Sequence, residues 1–248
     1  MTSLDYLHRT IEKEIPELSR RFKVVLVTGP SGVGKTSALR RLADPHRTYV
    51  DLEDPDICRL ARTAPKSFFA KYPLPLIIDN AHLAPEIFLQ IKAEVDKADE
   101  CGLVWATANQ RFADIKGVED SLARRLFELR LMPLSVYERE GHGLLQEPYI
   151  PRPLRPDALT MHSETDTWQM IWQGAWPEVI GKTAPERNAF YAAFLKRFLN
   201  KDLPMMETVE NAAAFERFLK VLAPMTGKAL DLKRLSRLTG TAASTVKH

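Results

Sequence analysis

The chain has 248 residues, 45% hydrophobic and 27% charged, a balance that excludes wholesale disorder and collagen-like structure and allows one large domain or two small ones. Its 35 Lys and Arg against 32 Asp and Glu leave a net charge of +3, too small a surplus to indicate nucleic acid on its own. No apolar run approaches the roughly 18 residues of a membrane-spanning helix, and the polar start MTSLDYLHRTIEKEIPEL lacks a secretory pattern. The two cysteines, Cys58 and Cys101, support neither a disulfide framework nor a four-thiolate metal site, and the expected setting is a reducing cytoplasm.

Residues 1–22 read as an amphipathic helix, with Leu4, Leu7, Ile11 and Ile15 at spacings of three and four. From Lys23 the period changes to short, β-branched-rich apolar runs at Val24–Thr28, Thr48–Leu52, Leu76–Asp79, Leu103–Thr107 and Phe127–Leu131. Helix-compatible stretches lie between them, such as Pro85–Lys97 with Ile87, Ile91 and Val95 on one face. Strands alternating with helices imply an α/β fold, a mostly parallel five-stranded sheet covered on both faces. The core is expected over 23–135. Residues 136–164 read as a surface connector, because prolines 133, 148, 151, 153 and 156 sit in this region with Gly141 and Gly143. A helical region follows over 165–225, with Phe190, Phe194 and Phe198 repeating every four residues. Trp168, Trp172 and Trp176 share that spacing and read as a core stripe.

The segment Gly29-Pro30-Ser31-Gly32-Val33-Gly34-Lys35-Thr36, followed by Ser37, matches GxxxxGK[ST] between an expected strand and an expected helix, the context that gives the motif its meaning. Its glycines permit backbone angles that turn successive N–H groups inward as an anion nest, at the positive end of a helix. Lys35 would reach the β- and γ-phosphates of ATP, and the Thr36 hydroxyl would ligate Mg²⁺. Asp79, at the end of LIID, is the expected acidic partner of that ion. The next residue is Asn80, whose amide accepts no proton but can orient a water. Glu53, just beyond the second strand, is the candidate substitute base. Asn109, after the fourth strand, would sense the γ-phosphate, and Arg125, before the fifth, would act as an arginine finger on a neighbouring copy.

The set GPSGVGKTS, LIIDNAH, VWATANQRF, SLARRLFELRLMPLSVYE, QGAWPEVI and LDLKRLSRLTGTAASTVKH resembles the prokaryotic AAA-type ATP-binding proteins. In that family a P-loop core precedes a helical region and a winged-helix C-terminal domain of unknown function. The resemblance implies an AAA-type P-loop NTPase fold, with Gly29, Gly34, Lys35 and Thr36 on the nucleotide loop and Asp79 on the magnesium strand. It also implies a glutamate at position 80, where this chain has Asn80, and it matches Arg125 to the family arginine while Arg124 replaces a glycine.

Residues 226–248 have helix-turn-helix form, with Leu232, Leu235 and Leu238 on one helix, Gly240 closing it and a second helix beginning near Ala242. Lys233, Arg234, Arg237 and Lys247 would face DNA phosphates if the pair reads DNA, although such pairs also serve as plain packing modules. The resemblance implies continuation beyond His248, a truncated winged helix. His8, His46, His82, His142, His162 and His248 show no paired metal spacing. The expected function is ATP binding with slow Mg²⁺-dependent hydrolysis driving a conformational or assembly switch, in a protein that self-associates or meets a protein partner away from membranes. The alternatives are a nucleotide-controlled DNA-binding or scaffold protein with little turnover, and a small-molecule kinase.

Overall fold

The computed structural model describes residues 6–115, 122, 124–145, 163–205 and 211–242. Several expectations lie outside the described residues: Leu4, Ser121 and Ala123, the connector over 146–162, and the second helix after Ala242 with Lys247. Contacts divide the chain into two compact units, Met1–Lys182 and Thr183–His248.

The first unit is built on five parallel strands: β1 (Val24–Thr28), β2 (Thr48–Asp51), β3 (Leu76–Asp79), β4 (Val104–Ala108) and β5 (Leu126–Arg130), in the order β2-β3-β4-β1-β5. All residues of β1, β3 and β4 are buried, as continuous apolar runs covered on both faces should be. Alternation along the strands sends Val24, Leu26, Ile78 and Val104 to one core. There they meet Ala61 of α3 (Pro55–Thr63), Phe68 and Phe69 of α4 (Pro65–Lys71), and Ile87, Phe88 and Ile91 of α5 (Ile87–Val95). Val25, Val27, Ile77 and Trp105 face the other core, with Ile11 and Ile15 of α1 (Ile11–Ser19) and Leu39 of α2 (Lys35–Leu42). Each such large side chain contributes about 1.5–3 kcal/mol by its burial.

The first helix is shorter than the periodicity of residues 1–22 predicts. The Glu12 carboxylate accepts the Arg9 backbone N–H at 2.6 Å and the Tyr6 hydroxyl at 2.9 Å, and the Thr10 N–H is taken by Glu138 at 2.9 Å. The donors of residues 9 and 10 are thereby spent outside the helix, which starts at Ile11. The first part of the expected connector is also not merely surface. Residues Val136–Arg139 form α6, opened by a capping box between Ser135 and Glu138, and Glu138 is buried.

On α7 (Glu164–Gln173) the tryptophan stripe does not form a core: Trp168 is 62% and Trp172 81% exposed. Only Trp176, beyond the Gly174 that ends this helix, packs against the core. The spacing survives on the helix, but Ile171 beside the two tryptophans is exposed as well, at 65%.

The second unit is helical. It contains α8 (Ala184–Arg197), a π-helical turn at Phe198–Asp202, α9 (Leu203–Met205), α10 (Ala212–Leu222) and α11 (Leu232–Thr239). The Phe190 and Phe194 rings stack 6.3 Å apart along α8. Asp231 caps α11 by accepting the Arg234 N–H at 3.0 Å, and Gly240 closes it in the left-handed region with φ 67°. Among the described residues no helix is long and apolar enough to cross a membrane.

Candidate functional site

The carboxyl ends of β1, β3 and β4 open onto one crevice, the place where open α/β sheets receive ligands. From β1 the chain enters Gly29–Gly34, with positive φ at Gly29, Gly32 and Gly34, and passes into α2 with Gly34 as its N-cap. Gly29 is required by space as well as by angle: a Cβ there would stand 2.0 Å from the Leu131 carbonyl oxygen. The loop's backbone donors thus converge beside the start of α2, where the helix dipole favours an anion.

The Lys35 ammonium, on a nearly buried side chain, donates at 2.9 Å to each of the Gly29 and Pro30 carbonyls and to Asn109 Oδ1. A charged amine and the amide after β4 therefore meet at the loop mouth. The Asn109 backbone N–H also approaches His82 Nδ1 at 3.4 Å, which leaves the proton of a neutral ring on Nε2. His82 thus joins the turn after β3 to the residue after β4.

Thr36 Oγ1 lies 2.8 Å from both carboxylate oxygens of Asp79. The same carboxylate accepts from the Tyr49 hydroxyl at 2.8 Å and from the Thr107 hydroxyl. Burial pushes the Tyr49 phenol well above its ordinary value, and the bond to Asp79 adds to the effect. Asp79 is therefore held in one orientation from β2, β4 and α2. Among the described residues no group of three or more His, Cys, Asp or Glu could cage a metal. One hydroxyl beside one carboxylate nevertheless suits Mg²⁺, which keeps several waters and takes few protein ligands.

Asn80 follows in the left-handed region, φ 57°. Its N–H donates to Thr107 Oγ1 at 2.9 Å and its Nδ2 to Asp51 Oδ1 at 3.0 Å. The carboxylate brought to Asn80 is thus that of Asp51, while Glu53 is exposed and its backbone N–H donates to Asp51 at 2.8 Å. Arg125 stands before β5, whose first residue pairs with Val24 at the start of β1. That is the end of the strands opposite the phosphate loop, and there Arg125 forms an ion pair with Asp96, which raises the pKa of the guanidinium and lowers that of the carboxyl.

Two contacts brace the loop from outside. Arg9 Nη1 donates to the Val33 carbonyl at 2.5 Å and Nη2 to the Met132 carbonyl at 2.7 Å, while Nε pairs with Glu138 at 3.1 Å. Burial alone would raise the Glu138 carboxyl, but the Ser135 and Thr10 N–H groups and Arg9 hold it below the usual carboxylate value. The Trp176 indole N–H donates to the Ser31 carbonyl at 2.9 Å. Beside these braces lies a cavity of about 240 Å³, lined by Tyr6, Leu7, Arg9, Val33, Ser37 and Pro177 among others.

A glycine loop between a buried strand and a helix, a lysine at its mouth, and a hydroxyl–carboxylate pair across the crevice define a P-loop NTPase fold. Residues 21–140 match a family model described as AAA domain, and residues 164–248 match one described as Domain of unknown function (DUF8612). No curated protein matches the chain. Similar solved structures include AMPPCP-bound DnaA from Aquifex aeolicus, at 14% identity over 96% of this chain and 84% of that one, TM-score 0.46. Another is the Walker-type ATPase of Pyrococcus abyssi, at 15% identity over 99% and 90%, TM-score 0.46. The RuvB Holliday junction branch migration motor of Thermotoga maritima is similar at 16% over 100% and 87%, TM-score 0.41.

Proposed function

We propose that this protein binds ATP with Mg²⁺ and hydrolyses it slowly, using the cycle to switch conformation or assembly in the cytoplasm. The observation that carries the reading is the Thr36–Asp79 pair, 2.8 Å across the crevice, next to a lysine already drawn to the loop mouth. Backbone N–H groups of Ser31, Gly32, Val33 and Gly34, with those of Lys35, Thr36 and Ser37 at the helix start, bind the phosphates, while Gly29, whose N–H donates to the Ala108 carbonyl at 3.2 Å, and Pro30, which has no N–H, shape the loop's entry. Thr36 and Asp79 hold the ion, which when bound neutralises charge on the transferring phosphoryl group. Lys35 stabilises charge that develops on the same group, and Asn109 hydrogen-bonds the γ-phosphate. The cavity beside Tyr6 and Pro177 takes the base. Arg125 acts on a neighbouring copy, since its own loop lies at the other end of the strands.

The test is phosphate release from Mg-ATP by the purified protein, with Lys35→Ala as control and nucleotide binding measured on the same samples. Turnover that vanishes in Lys35→Ala supports the reading. Binding without turnover replaces it with a nucleotide-held DNA-binding or scaffold protein, whose contacts would come from Lys233, Arg234 and Arg237 of α11. Absence of binding overturns both.

A further inference from the structure

The side chain of Asp79 is committed, because the hydroxyls of Thr36, Tyr49 and Thr107 all converge on it. Asn80, one residue on, carries no group that can take a proton. A second carboxylate stands beside it. Asp51 ends β2 directly opposite Asp79 in the parallel register, is half-buried, and offers Oδ1 to Asn80 Nδ2 at 3.0 Å. A carboxylate only accepts, so the amide nitrogen must face it. The planar amide then turns Oδ1 away from Asp51. The backbone N–H of Asn80 is fixed by Thr107 at 2.9 Å, so the residue is held at both ends.

Building on the hydrolytic reading above, we propose that Asp51 is a positioning residue for the attacking water. It holds the Asn80 amide with Oδ1 outward, as acceptor for a hydrogen bond from that water, and its negative charge polarises the amide and strengthens the acceptor. The water oxygen forms a bond to the γ-phosphorus. The bond from that phosphorus to the β–γ bridging oxygen breaks, and its electron pair leaves with ADP. The water proton passes to an oxygen of the phosphate being released, because the Asn80 amide that orients the water takes no proton and Asp51 faces the amide in place of the water. Orientation without a base on the water is consistent with slow turnover.

The experiment measures kcat, KM, nucleotide affinity and Tm for the full chain and for Asp51→Asn, Glu53→Gln, Asn80→Glu and the double variant Asp51→Asn with Asn80→Glu. Asp51→Asn removes the charge and presents an amide that can meet Asn80 with either its donor or its acceptor end, so Asn80 loses its single orientation and kcat should fall roughly 10²-fold with affinity and Tm unchanged. In Asn80→Glu two carboxylates face each other with no donor between them. In the double variant an amide again faces a carboxylate, and kcat recovers above that of Asp51→Asn. A structural role for Asp51 would lower affinity and Tm together and leave the double variant no more active than Asp51→Asn. The proposal is overturned by wild-type kcat in Asp51→Asn, by a loss confined to Glu53→Gln, or by parallel losses of affinity and Tm. Nucleotide binding without turnover in the unmodified protein overturns the hydrolytic reading as well, whereas turnover indifferent to Asp51 overturns this proposal alone.

Discussion

Arg9 and Glu138 meet with Nε 3.1 Å from Oε1, both side chains nearly fully buried, although 129 residues separate them in the chain. The same guanidinium holds the Val33 carbonyl of the phosphate loop, so one ion pair ties the N-terminal arm, the loop and the turn after β5 together. Removing one partner leaves a buried charge without its counter-ion, at a cost of about 3–5 kcal/mol. Glu138→Gln should therefore lower Tm strongly in thermal unfolding at neutral pH. Because the folded Glu138 carboxyl titrates below its ordinary 4.5, its contribution is complete above that value and disappears as pH falls through the lower folded one. The gap in Tm between wild type and Glu138→Gln should close in acid; a gap constant with pH would refute the assignment.

Gly29→Ala should abolish nucleotide binding and destabilise the fold. The added Cβ would meet a backbone oxygen at 2.0 Å with φ at 147°, and only movement of the loop or of the chain at Leu131 relieves it. Binding by fluorescence titration and Tm by calorimetry test this together. Retained affinity would mean that the loop tolerates the shift.

Asn109→Ala should separate binding from turnover. The ATP-bound state keeps the loop donors and Lys35, so affinity should change little, while kcat falls by roughly 10²-fold or more as a donor aimed at developing charge is lost. Equal losses in kcat and affinity would assign Asn109 to ground-state binding instead, through its bond to Lys35.

Asp79→Asn should raise the Mg²⁺ concentration needed for half-maximal turnover, because one negative charge and one acceptor oxygen disappear from the site. Chelation with EDTA should silence the wild type and be reversed by added Mg²⁺. A metal dependence unchanged in Asp79→Asn would move the ion elsewhere.

The strands, the loop and Asp79 were legible in the sequence because each is a local signal: an apolar run, a glycine spacing, an acid at the end of a run. The braces were not. Arg9 reads as one more charge on an amphipathic stretch, and nothing local pairs it with Glu138, although Ser135-x-x-Glu138 has the capping-box form that marks a helix start where a connector was expected. The sequence shows two nearby acids, Asp51 and Glu53, and no register. Only the parallel pairing of Asp51 with Asp79 decides which one stands beside Asn80. Tyr49 and Thr107 escaped for the same reason, since their hydroxyls matter through neighbours on other strands. The tryptophan spacing misled in the opposite direction, being a true helical stripe whose face is exposed.

Trp176 supplies its own means of observation. Its indole N–H ends on the Ser31 carbonyl, in the middle of the loop, so any ligand that reorients that peptide changes the polarity felt by the ring's excited state. Emission from this tryptophan, isolated by replacing Trp105, Trp168 and Trp172 with phenylalanine, is a native optical signal of loop occupancy, available in real time and without a label.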